Sequence, residues 1–207
     1  MSTSLPLSST IGLLCLVVGL AMLPNSPDAQ ARGKSEFPVE MMFTEAGEVH
    51  ELTFTGQSER AVLFFRVYDI AHYVEADERR SVSQATVVAD GPSKAIVISF
   101  ARKLGREQIQ DEFSKSLRRN AQSDWLEQAE PTITAFINGI DRDAQPGDQM
   151  VFYWLAGGRI IAEFNGEREF GVTDTAFAKL IWSIWFGEEP ACDREQLLAS
   201  LTLTGSS

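Results

Sequence analysis

From residue 37 onward the chain switches between stretches that repeat every two residues and one that repeats about every four. FPVEMMFT and EVHELTFT, on either side of Glu45-Ala46-Gly47, are rich in strand formers and predict a two-stranded hairpin with Gly at its turn. Residues 60–74 carry β-branched and aromatic side chains on both parities. Val62, Phe64, Tyr68 and Ile70 fall on one, and Leu63, Phe65, Val67 and Tyr73 on the other, the pattern of one strand covered on both faces. DERRSV reads as a loop, and SVSQATVVAD fits either a short helix or a strand. The turn Gly91-Pro92-Ser93-Lys94 then leads into the strand AIVISFA.

At Arg106 the period changes. Ile109, Phe113 and Leu117 recur every four residues among charged and polar neighbours, which predicts an amphipathic helix reaching about Asn120. A second helical piece centred on Trp125 and Leu126 should stop before Pro131, and helix-like PTITAFIN follows it. Gln145-Pro146-Gly147-Asp148 opens a meander of QMVFYWL, RIIAEF and EREFGV, turned at Gly157-Gly158 and Asn165-Gly166. Asp174 is placed to cap the helix TAFAKLIWSIWF, which Gly187 ends. Asp193 with Gln196 forms the capping box of a short closing helix. Strands, then helices, then strands, then helices predict an α+β fold with an antiparallel sheet.

Residues 11–23, IGLLCLVVGLAML, are apolar and uncharged but short for a membrane span, and Ala29-Gln30-Ala31 supplies a small-x-small cleavage signature. Residues 1–31 therefore read as a signal peptide and residues 32–207 as one domain, periplasmic or secreted. MSTSLPLSST lacks Lys and Arg, so an uncleaved N-terminal anchor is the alternative, and it would be the sole route to a membrane. Asp28 is the only charged side chain in residues 1–31, and its removal takes the formal net charge from −11 to −10. Such acidity disfavours nucleic acid and anionic surfaces as partners, since both need clustered Lys and Arg. Cys192 would be the one remaining thiol, which precludes an intramolecular disulfide.

The candidate chemistry is sparse. His50 and His72 fall on separate strands, no Cys or His pair has metal-ligand spacing, and neither a phosphate-binding Gly loop nor a G-x-S-x-G elbow occurs. No metal and no cofactor are expected. Trp182, Trp185 and Phe186 recur at helical spacing and read first as a core face, otherwise as a pocket or partner surface. The anomaly is Arg60, a permanent charge at the head of an apolar run, which needs water, a carboxylate or an anionic ligand. Glu59, Asp69 or a helix carboxylate could pair with it.

Gly56-x-x-Glu59-Arg60, VYDIAHYVE, AIVISFAR, PGDQMVFYW and IWSIWFGEEP, in this order over residues 37–201, resemble the chalcone isomerase-like proteins, specifically their bacterial secreted branch. The resemblance implies an open-faced β-sandwich, a large antiparallel sheet covered by a layer of helices, with a ligand cleft between them. It also implies that Arg60 matches the arginine with which the plant enzymes polarise a chalcone ketone during cofactor-free ring closure. Their other catalytic positions are replaced: a Thr by Tyr68, a Tyr by Phe113, a Lys by Ser116 and a late Thr or Ser by Ile184, with Asn120 retained. Phe113 and Ile184 offer no hydroxyl to a developing enolate, and each missing donor typically costs about 2.7–4 kcal/mol.

Other relatives bind fatty acids without catalysis, holding the carboxylate with the Arg and a Tyr. The leading expectation is thus a monomeric, non-catalytic binder of a small amphipathic anion, with Arg60, Tyr68, Asn120 and Phe113 at its site. The alternative is a cofactor-free isomerase or lyase of the chalcone isomerase type. Tyr68 raises a difficulty for the binder: on one straight strand, eight residues span about 26 Å, too far for it to share a carboxylate with Arg60. AVLFFRV has no Gly, Pro, Asn or Asp to turn the chain back.

Overall fold

The structure is a computed structural model and describes residues 35–202, so the signal-peptide expectation for residues 1–31 lies outside the described residues. Seven strands form one antiparallel meander: β1 (Glu40–Glu45), β2 (Glu48–Val62), β3 (Phe65–Glu75), β4 (Lys94–Phe100), β5 (Gln149–Leu155), β6 (Arg159–Phe164) and β7 (Glu167–Thr173), paired in sequence order. Three longer helices, α1 (Arg106–Arg119), α2 (Ser123–Gly139) and α3 (Thr175–Phe186), lie over one face, and the short α4 (Arg194–Leu197) and α5 (Ala199–Thr202) close the chain.

Residue parity separates two hydrophobic layers. Ile96, Ile98, Phe100, Phe152, Trp154, Ile160 and Ala162 face the helices, while Ala95, Val97, Val151, Tyr153 and Ile161 fill the opposite side. The second layer is covered because the sheet curls. Phe43 of β1 stacks on Tyr153 of β5 with centroids 3.8 Å apart, and Glu45 bridges Arg159 of β6 and Arg168 of β7. First and last strands are thereby drawn together across the concave side, with the Pro38 carbonyl accepting from the Tyr73 hydroxyl at 2.9 Å.

Sequence expectations are corrected at several places. Residues 60–74 are two strands, not one: the chain reverses at Leu63-Phe64, where Val62 pairs with Phe65 and Leu63 has φ +58°. The turn forms without a breaker residue, at some conformational cost to Leu63. Double-sided burial holds only for the far part of β3, where residues 70–74 are all buried. The helix after Trp125 also does not stop at Pro131. α2 runs through it with Pro131 exposed on its outer side, and burial of Ala129, Ile133 and Phe136 against the sheet holds both halves in line. SVSQATVVAD is neither helix nor strand but a series of turns, pinned where the Lys94 ammonium donates to the Val87 carbonyl at 3.0 Å and stands over Trp154. The loop expected at DERRSV overlaps a 3₁₀ helix, Ala76–Ser81.

The closing helices are tied to β2 through a buried polar chain. Trp182 Nε1, which can only donate, points at His72 Nε2 at 3.4 Å, so the neutral ring carries its proton on Nδ1. Nδ1 lies 2.8 Å from Thr55 Oγ1, which donates in turn to the Leu197 carbonyl at 2.8 Å. Thr55 is the extra residue where the β2–β3 register shifts between Phe54 and Gly56. At Gly56 the absent side chain lets α4 rest on the strand, since a Cβ there would lie 2.1 Å from the Gln196 carbonyl oxygen.

Two outcomes follow from this packing. Gly56→Ala should lose about 1–3 kcal/mol in urea unfolding, the range of overpacked sites, and an unchanged midpoint would show that α4 does not bear on β2. Burial, with the Lys94 charge adding to it, lowers the His72 pKa from 6.5 to about 3. Between those values the unfolded chain binds the proton and the folded one does not, so the neutral-His contribution is full above pH 6.5 and drains away as pH falls toward 3. Unfolding stability should drop by about 1.4 kcal/mol per pH unit below 6.5 from this group, and His72→Phe should flatten that slope.

Candidate functional site

The reversal at Leu63-Phe64 removes the distance problem. It folds β3 back along β2 so that Tyr68 lies directly opposite Arg60, with a register shift just beyond, between Arg60 and Ala61. Directly opposed residues on one face have Cβ atoms about 4.5–5.5 Å apart, within reach of a single small group. Tyr68 is paired on its other side with Phe100 of β4, on the helix-facing side of the sheet.

There the helices leave a gap. A cleft of about 430 Å³ opens between the ends of β2, β3 and β4 and the helices α1 and α3. Arg60 and Tyr68 line it together with Ile98, Phe100, Phe113, Ile184 and Trp185. Its size falls within the roughly 300–1,000 Å³ of small-molecule pockets, and a few polar groups on apolar walls are the usual composition of such a site. A separate hollow beside Arg142 and Glu169 measures about 30 Å³, room for little more than a water.

Each wall is fixed by packing. Phe113 stands edge-on to Phe136 and Phe152, with centroids 5.3 and 5.7 Å away, which packs its ring against the core. On α3, Trp185 is buried and donates from Nε1 to the Tyr68 hydroxyl oxygen at 3.0 Å. That contact orients the phenol and leaves its proton to donate elsewhere, with no acceptor for it among the described residues. Burial holds the Tyr68 pKa well above its ordinary value, partly offset by the Trp185 hydrogen bond, so the hydroxyl stays protonated.

Arg60 is half-buried and donates from Nη1 to the Ala191 carbonyl at 2.9 Å. Among the described residues it forms no ion pair. Of the carboxylates that sequence proposed for it, Asp69 lies 3.6 Å from Arg66 and accepts from the Ser35 amide. The α1 carboxylates on the cleft wall, Asp111 and Glu112, are exposed, and Asp111 faces Lys115 at 4.0 Å. Cys192 adjoins this end, where burial pushes its thiol up to about 12, leaving no thiolate at neutral pH.

Asn120 stands apart from the cleft lining. As the C-cap of α1 it spans the backbone of Glu189, donating to the carbonyl at 3.0 Å and accepting from the amide at 2.8 Å. Gly187 makes room for it, since a Cβ there would lie 2.6 Å from Asn120 Oδ1. Sequence reasoning read Trp185 first as part of a core face, with a pocket wall as the alternative, and missed its bond to Tyr68, although a buried indole N–H usually finds an acceptor. Among the described residues no group of three or more His, Cys, Asp or Glu side chains is arranged to hold a metal, and no helix is long and apolar enough to cross a membrane.

A comparison with curated proteins gives no match. Among solved structures, the crystal structure of a fatty-acid binding protein from Arabidopsis thaliana is similar, with TM-score 0.57 and 15% identity over 79% of this chain and 98% of that one. At that identity the likeness is one of fold. A family model described as chalcone isomerase-like matches residues 35–199, nearly all of the described chain, and with the curled antiparallel sheet, its helical layer and the cleft between them this establishes that the chain belongs to the chalcone isomerase-like family.

Proposed function

We propose that this protein is a non-catalytic carrier or sensor for a fatty-acid-like carboxylate, held head-first between Arg60 and Tyr68 with its chain in the cleft. The observation that carries this reading is the cross-strand pairing of those two donors at an apolar cleft, with no ion pair at Arg60 among the described residues. A guanidinium meets a carboxylate through parallel N–H donors, and a phenol held by Trp185 supplies a third bond. Apolar walls add roughly 0.8 kcal/mol per buried methylene, so affinity should rise with chain length until the cleft is full. The similarity in fold to a fatty-acid binding protein supports the same ligand class.

The isomerase reading is weaker on the same geometry. Phe113 and Ile184 both line the cleft, and neither can donate a hydrogen bond to an enolate. Asn120 is engaged with Glu189 on both amide atoms. For residues 1–31 we retain the reading of a cleaved signal peptide that directs the protein to the periplasm or beyond the cell. Intact-mass measurement of the protein from its native compartment should give a chain beginning at Arg32, and retention of the apolar run would replace that reading with an anchor.

Isothermal titration with fatty acids of increasing length tests the binding site. Arg60→Ala should weaken binding about ten- to hundredfold, as for loss of a charge-assisted hydrogen bond, and Tyr68→Phe about two- to tenfold. Equal affinities in Arg60→Ala and the wild type would remove the carboxylate from this position. Turnover of a chalcone by the wild type that is abolished in Arg60→Ala would instead favour the enzyme.

A further inference from the structure

The β2–β3 turn that builds the site also projects the two most exposed large apolar side chains of the described residues, Phe64 and Leu63, with Phe65 and Val62 beside them. Phe64 is 98% exposed, Leu63 84%, Phe65 62% and Val62 49%. Burying none of these side chains wastes their hydrophobic contribution, and Leu63 in addition occupies the left-handed region, at φ +58°, that Gly or Asn adopts more easily. Local strain combined with unburied apolar surface has no benefit to the fold of this chain alone.

Charge at the tip runs against that of the whole chain. Residues 60–68 and 101–106 contain Arg60, Arg66, Arg102, Lys103 and Arg106 and not one Asp or Glu, within a chain of formal net charge −11. The Ala101 amide donates to the Val67 carbonyl at 3.0 Å, which binds the two segments side by side. Arg102 is exposed, its guanidinium 5.8 Å from the centre of the Phe65 ring. Around them, Asp69 faces Arg66 and Asp143 faces Lys103 at 3.3 Å, whereas Arg102, beside the Phe65 ring, has no carboxylate pair among the described residues. An apolar point flanked by arginine matches the membrane interface, where apolar side chains enter the acyl region and cations remain at the headgroups.

We propose that the Val62–Phe65 turn is a membrane-docking tip that inserts into a phospholipid surface, with Arg66 and Arg102 at the headgroup level. A lipid bilayer is favoured over a protein partner by shape and size. A stable protein interface buries about 800 Å² on each side, far more than a two-residue turn presents, whereas a bilayer takes up single projecting side chains. Continuity with the cleft supplies the reason for docking: Val62 and Arg102 belong both to the tip and to the cleft lining. An amphipathic molecule can then pass between bilayer and cleft with little of its chain exposed to water. This last step rests on the proposed carrier function, but membrane docking itself does not.

The test uses the full chain, with Phe64→Trp as a local probe and vesicles of phosphatidylcholine with or without phosphatidylglycerol. Trp154, Trp182 and Trp185 are buried and Trp125 is half-buried, so the emission added by the variant reports position 64, whatever the N-terminal segment does. That added emission should be quenched at least twofold by vesicles whose acyl chains are brominated near the headgroup, and quenching should strengthen with phosphatidylglycerol. Equal emission with brominated and plain vesicles overturns the proposal. A concentration-dependent dimer that is lost in Leu63→Ser/Phe64→Ser, without quenching, also overturns it and assigns the tip to a second copy.

The same double variant changes only exposed side chains, so its fold should be intact. It should take a fatty acid from vesicles at least tenfold more slowly than the wild type while binding the free acid from water with affinity within twofold. Transfer as fast as the wild type overturns the link between tip and cleft. If the wild type binds no fatty acid at all, the carrier reading fails, and the quenching experiment still decides the docking.

Discussion

Everything at the candidate site depends on one cross-strand pair, Arg60 against Tyr68. Neither residue is informative alone. Arginine at a strand end is ordinary if it reaches water, and a tyrosine in a sheet is ordinary if its hydroxyl finds a partner. Set opposite each other on the helix-facing side, one with N–H groups to spare and the other with its oxygen occupied by Trp185, they make a compact array of donors on a greasy wall. Such an array is complementary to an anion with a hydrophobic body.

The rest of the architecture keeps that array open at one end and rigid at the other. Both faces of the sheet are buried, the concave one by the sheet's own curl around Phe43 and Tyr153 and the other by α1, α2 and α3. Between α1, α3 and the ends of β2 to β4 lies the cleft, where the apolar side chains are not all covered by one another. The His72, Thr55 and Leu197 chain and the bare surface of Gly56 fix the closing helices against β2 just upstream of Arg60. Gly56 and Arg60, which stand together in one short sequence motif, thus do different work four residues apart.

Much of this was legible in the sequence where the signal was periodic or chemical. The β1–β2 hairpin, the meander from Gln149 to Thr173, the amphipathic α1 and the Asp174 cap, whose carboxylate accepts from the Phe177 amide at 3.0 Å, all follow from patterning and turn chemistry. Two failures share a cause. Residues 60–74 looked like one strand because the turn uses Leu63 and Phe64 in place of Gly or Asn, and α2 looked broken because Pro131 is a helix breaker by propensity. In each, tertiary context overrode a local rule, through strand pairing in the first and through burial of Ile133 and Phe136 in the second. The turn's departure from local preference marks the same segment that bears the exposed apolar tip. Sequence gives no account of what a helix-capping amide will meet, and Asn120 stands apart from the cleft lining, bonded to the Glu189 backbone.

The central claim is that an ionised carboxylate rests against Arg60. Its most direct measure is the carbon-13 resonance of a fatty acid labelled at the carboxyl carbon and bound to the protein, followed as pH is lowered. Opposite the guanidinium the bound acid should stay ionised well below the pH at which an exposed carboxylic acid titrates, and Arg60→Ala should restore ordinary titration. A bound carboxyl that titrates as it does in water, identically with and without Arg60, would contradict the account.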